Sequence, residues 1–189
     1  MEMRTMMKKM LAFAAAVLIA SSAAVAAPKG VDENEQSYQQ VSKKVRHELV
    51  TLPYSGVFDN LAYKVEGNTV TLYGQVVRPS TRKDAERRVA KIKGVERVVN
   101  NIEVLPLSSF DDDVRINTYR ALVRTGGLYR YFMGANPSIR IIVNRGHLTL
   151  EGVVANNSDR NLANIVARGV PGAFSVTNNL RTDRDGEAY

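Results

Sequence analysis

The stretch "TVTLYGQVVRPSTRKDAERRVAKIKGVERVVNNI", Thr69 to Ile102, aligns with "HLTLEGVVANNSDRNLANIVARGVPGAFSVTNNL", His147 to Leu180, at a constant offset of 78 residues and without a gap. Identities fall at Thr71/Thr149, Leu72/Leu150, Gly74/Gly152, Val76/Val154, Ser80/Ser158, Arg82/Arg160, Ala85/Ala163, Gly94/Gly172, Val98/Val176, Asn100/Asn178 and Asn101/Asn179. The offset continues upstream, pairing Val45, Leu61, Tyr63 and Val65 with Val123, Ile139, Ile141 and Val143. Self-similarity of this length marks two copies of one small domain.

Each copy opens on a helix. Tyr38, Val41, Val45, Leu49 and Leu52 recur at three and four residues and stop before Pro53, the stripe of an amphipathic helix. In the second copy "FDDDVRINTYRALVRTGG" begins with acids suited to capping and to the helix dipole and ends on Gly126 and Gly127. Leu61, Tyr63 and Val65 then alternate, turn at "EGN", and alternate again through Val70, Leu72 and Gly74; "SIRIIVNRGHLTLEGVV" repeats this hairpin. Ser80 and Ser158 sit where an N-cap is expected, ahead of helices predicted to bury Ala85, Val89 and Ile92 in one copy and Leu162, Ile165 and Val166 in the other. Gly94 and Gly172 release the chain into a last strand.

The order is therefore α-β-β-α-β, twice. A right-handed crossover lays the last strand parallel to its hairpin neighbour, so the fold class is α+β: two small three-stranded mixed sheets, each with two helices on one face. The expected boundaries are a signal peptide over 1–26, a flexible segment over 27–36, copies over 37–105 and 109–183, a linker over 106–108 and a tail over 184–189. Domains this small have small cores, so the copies are expected to pack together or to rely on close-fitting helices.

"MEMRTMMKKM" carries Arg4, Lys8 and Lys9 ahead of the short apolar run "LAFAAAVLIA", and Ala24-Val25-Ala26 forms an A-x-A site. These are the parts of a secretory signal, with cleavage expected after Ala26; a retained anchor helix is the alternative, disfavoured by the shortness of the run. Cysteine is absent, which excludes disulfides, thiolate chemistry and a lipid anchor on cysteine. Cleavage would remove three basic and one acidic side chain and lower the formal charge from +7 to +5. A surplus of that size favours anionic partners, and in an extracytoplasmic setting it favours lipid headgroups or acidic polymers over nucleic acid.

The tandem copies, the hairpin signatures "VEGNTVTLYGQV" and "VNRGHLTLEGVV", and the closing strands "GVERVVNNIEV" and "GAFSVTNNL" resemble BON (bacterial OsmY and nodulation) domains. The resemblance implies a periplasmic binding module without catalysis, tied to osmotic or envelope stress, that contacts phospholipid membranes. It also implies that lipid contact lies near the first helix of the second copy. The expected partner is an anionic phospholipid surface or, alternatively, an envelope protein or a second copy of the chain.

Two stretches carry candidate binding residues. "GGLYRYFMGANP", Gly126 to Pro137, sets Leu128, Tyr129, Arg130, Tyr131, Phe132 and Met133 together. Aromatic rings beside a cation suit a membrane interface. Leu128, Phe132 and Met133 are expected to pack inward and Tyr129, Arg130 and Tyr131 to face out, since the most apolar side chains usually lie inside. The second stretch is basic: Lys83, Arg87 and Lys91 at four-residue spacing, with Arg88, form a cationic strip if all lie on one helix. It is a secondary anionic-surface candidate, or else a plain solvated face. His47 and His147 are the only histidines, so no metal site, cofactor or nucleophile pair is indicated. Asp111, Asp112 and Asp113 lack the alternating spacing of a calcium loop and are read as helix capping. The asparagine pairs Asn100/Asn101 and Asn178/Asn179 are read as strand-edge or bulge hydrogen bonders.

Overall fold

A computed structural model describes residues 29–182; the expected signal peptide and the tail over 184–189 lie outside that range. The first copy runs α1 (Lys29–Val50), β1 (Asn60–Glu66), β2 (Thr69–Val76), α2 (Pro79–Val89) and β3 (Arg97–Val104). The second runs α3 (Ser109–Arg124), a 3₁₀ turn (Tyr129–Phe132), β4 (Ile139–Asn144), β5 (His147–Val154), α4 (Asn157–Arg168) and β6 (Ser175–Thr182). Helix α1 begins at Lys29, inside the segment expected to be flexible. The pattern of alternation and stripe otherwise yields the expected order.

Each sheet has three strands in sequence order, the first pair antiparallel and the second parallel. The repeat is kept in register: Tyr63 faces Leu72 as Ile141 faces Leu150, and Leu72 faces Asn100 as Leu150 faces Asn178. Val70, Leu72 and Val76 are fully buried under α1 and α2 with Val45, Ala85 and Val89; Leu148, Leu150 and Val154 are buried likewise with Leu122, Ala163 and Ala167. Gly74 and Gly152 sit mid-strand at φ +113° and +123°, where a Cβ would stand 2.0 Å from Asn60 O and 1.9 Å from Ser138 O. Only glycine lets the partner backbone approach that closely.

Three local expectations fail for physical reasons. Neither Ser80 nor Ser158 is a cap. α2 starts with Pro79 after Arg78, which makes no side-chain cap bond, whereas Asn156 caps α4 by accepting from Asp159 N at 2.9 Å. α4 turns Ala163 and Ala167 fully inward, with Leu162 and Val166 half-buried against the same core as expected, but Ile165 is exposed. Small side chains face the sheet because the helix lies close upon it. The cap of α3 is Ser108, which accepts from Asp111 N at 3.1 Å. Asp111 itself is fully buried and accepts from Arg145 N (2.8 Å) and Gly146 N (2.7 Å), bracing the β4–β5 turn where both residues have positive φ.

Asn100 and Asn178 act between elements. Each accepts from the N–H two residues on, at 3.2 Å, and donates to a carbonyl of the preceding helix, Arg82 O at 3.1 Å and Arg160 O at 3.0 Å. These bonds fasten helix to strand identically in both copies. Asn179 instead reaches across to Glu151 Oε1 at 2.7 Å.

The copies touch through the segment between α1 and β1. Ile141 N donates to Val57 O and Arg140 Nη1 to Gly56 O, both at 2.8 Å. Phe58 stacks edge-on to Tyr119, at 6.4 Å between ring centroids, and Tyr119 edge-on to Phe132 at 5.5 Å. A first-copy loop thus completes the second copy's core margin.

Candidate functional site

The stretch Gly126 to Pro137 divides between inside and outside. Leu128, Tyr131 and Phe132 are buried; Tyr129 (54% exposed) and Met133 (67% exposed) project. The expected places of Tyr131 and Met133 are thus reversed. The 3₁₀ turn is the cause: with three residues per turn, Leu128 and Tyr131 fall on the same inner side. Tyr131 is a bracing residue. Its hydroxyl donates to Asp159 Oδ2 at 2.6 Å and accepts from Ala155 N at 3.0 Å.

Arg130 is half-exposed, lies over the Tyr131 ring at 5.0 Å, and forms an ion pair with Asp159. The hydrogen bond from Tyr131, with the Arg130 charge and bonds from Arg130 and Asn156, holds the Asp159 carboxyl below its ordinary range against the opposing effect of burial. Arg130 rises correspondingly, first through its bond and proximity to Tyr131 and then through Asp159. This network ties the projecting turn to the N-terminus of α4, so Tyr129 and Met133 are carried on a braced support.

Two basic residues of the helix that leads to the turn, which the sequence reading passed over, are further candidates. Arg120 and Arg124 are exposed on α3 at four-residue spacing, on the approach to the turn, and form no ion pair among the described residues. Ile116, 40% exposed, stands one further step back along the same spacing. The spacing is visible in "TYRALVRTGG", beside the aromatic cluster that drew notice first.

The strip on the first copy does not assemble as expected. α2 ends at Val89, so Lys91 lies beyond the helix. Arg87 pairs with Asp84 at 2.6 Å and Arg88 with Glu48 of α1 at 3.3 Å. Lys83 and Lys91 remain exposed without an ion pair among the described residues. Among those residues no cluster of three or more histidine, cysteine, aspartate or glutamate side chains is placed to hold a metal, and no helix is long and apolar enough to cross a membrane.

The family model of the BON domain matches twice, over residues 39–106 and 117–184. The chain belongs to the BON-domain family. BON domains are generally non-catalytic and are associated with envelope and osmotic stress proteins. No curated protein matches this tandem BON protein. Solved structures similar to it include the C-terminal domain of CdsD, the structural protein of the type III secretion system of Chlamydia trachomatis, at 12% identity and a TM-score of 0.30, covering 76% of this chain and 64% of that one. A second CdsD structure from Chlamydia trachomatis matches at 11% identity and a TM-score of 0.30, covering 78% and 95%. The BON chain spans about two thirds of the first of these, and likeness at this level says nothing of its function.

Proposed function

We propose that this tandem BON protein is a non-catalytic periplasmic module, exported by a cleaved signal peptide, that holds anionic phospholipid surfaces through the tip of its second copy during envelope maintenance or stress. The observation that carries the reading is the pair of projecting apolar side chains, Tyr129 and Met133, on a turn that follows a helix whose Arg120 and Arg124 are exposed and form no ion pair among the described residues. Rings and thioethers enter the headgroup boundary while guanidinium groups meet phosphate. Each basic group near an anionic surface contributes about 1 kcal/mol, or roughly fivefold in partition.

Co-sedimentation of residues 27–189 with vesicles tests it. Binding is expected with anionic vesicles and not with neutral ones, and it should weaken as added salt shortens the Debye length. Arg120→Glu combined with Arg124→Glu should lower the anionic partition at least tenfold with an unchanged circular dichroism spectrum. Undiminished binding by that double variant would remove the tip from the mechanism.

A further inference from the structure

Strand β1 is an outer strand, and the second copy shows what such an edge can hold. There the Ile141 N–H points away from β5 and donates to Val57 O, a backbone carbonyl arriving from outside the sheet. Tyr63 occupies the same register position in the first copy, facing Leu72 as Ile141 faces Leu150. Its N–H therefore also points outward, and among the described residues nothing accepts from it.

Beside this edge lies a groove of about 430 Å³, within the roughly 300–1,000 Å³ of ligand sites. One wall is Arg46, Leu49 and Val50, neighbours at three- and four-residue spacing on the last turns of α1; the other is Leu61, Ala62 and Tyr63 of β1. Successive strand side chains alternate between faces, so three consecutive residues can line one groove only along the backbone edge. Asn136 and Arg140 of the second copy complete the lining. Neither Arg46 nor Arg140 forms a salt bridge among the described residues. Arg140 is half-buried, donates to Gly56 O and Asn136 Oδ1, and has its pKa lowered by burial, with the Asp59 charge opposing. A carboxylate arriving there would meet a guanidinium already partly stripped of water.

We propose that this groove takes an extended acidic segment of a partner protein as an added strand beside β1, its backbone on the open edge at Tyr63 and a carboxylate on Arg46 and Arg140. Strand addition supplies affinity through backbone bonds and selectivity through side-chain pockets. Leu49, Val50 and Leu61 offer the apolar contact for a neighbouring side chain, which a free inorganic anion would leave unused. The residues are separate from Arg120, Arg124, Tyr129 and Met133, so the two binding activities fail or stand independently.

The test is titration of residues 27–189 with labelled hexapeptides that alternate valine and threonine and carry one aspartate at each position in turn, read by anisotropy and by amide NMR. At least one peptide should saturate and shift the amide signals of Leu61 to Tyr63. Its asparagine counterpart should bind about tenfold more weakly, as a lost charge-assisted bond requires, and an N-methylated backbone should weaken it similarly. Arg140→Gln should match the asparagine loss; because Arg140 also braces Gly56, Arg46→Gln, on an exposed side chain, is the second variant. The proposal is overturned if no peptide binds, if aspartate and asparagine peptides bind alike, or if the shifts fall elsewhere. It is overturned equally if inorganic phosphate saturates the groove while peptides do not.

Discussion

One backbone N–H shows how the copies diverged. Val77 and Ala155 are equivalent positions just past the middle strand. Val77 N is satisfied by Asp59 Oδ1 at 2.8 Å, Ala155 N by the Tyr131 hydroxyl at 3.0 Å. A carboxylate from one loop and a phenol from the other thus meet the same need. Tyr131→Phe should therefore cost about 1 kcal/mol in urea unfolding and leave vesicle partition unchanged, because the ring is buried. Its partner Asp159 sets an acid limit: a depressed carboxyl pKa stabilises above the ordinary value near about pH 4 and loses that contribution as pH falls through the lowered one. Asp159→Asn should flatten the loss of stability below about pH 4, read as unfolding midpoint against pH. Sequence alone showed that "LYRYFM" had an inner side, but not which ring lay on it. That choice depends on a 3₁₀ turn whose three-residue period no hydrophobic stripe announces.

At the level of elements, nearly the whole order was legible, because alternation in the strands and glycine at their ends leave little choice. The inner face of α4 was only partly so. Leu162 and Val166 flank the core as expected, but its fully buried centre is Ala163 and Ala167 while Ile165 is exposed, since close packing rewards small size over hydrophobicity. The basic strip misled for another reason: charges counted along a sequence do not show which have acids opposite, as Glu48 stands opposite Arg88. The repeated asparagines were legible as conserved between the copies but not as fasteners of helix to strand. Asn178→Ala should lower the stability of the second copy by about 1–2 kcal/mol, with hydrogen exchange quickening first at Leu180 and along α4.

For the whole molecule, the expectation that two small cores would lean on one another is met by one loop. Phe58 packs on Tyr119 while Val57 and Gly56 supply carbonyls to β4. Phe58→Ala, a change in the first copy, should destabilise the second by about 1–2 kcal/mol, visible as faster exchange at the Ile141 amide. Sequence could show that the copies repeat, but not this contact, which depends on residues that differ between them.

That difference also gives the pair of copies a direction. The first copy's loop hands its carbonyls to the next unit, whereas in the second the matching stretch curls home, with Ser138 N bonded to Tyr131 O and Asn136 to Arg140. The contact is therefore directional: the first copy gives its carbonyls and the second receives them, so a chain with the two copies exchanged in order would lose this seam.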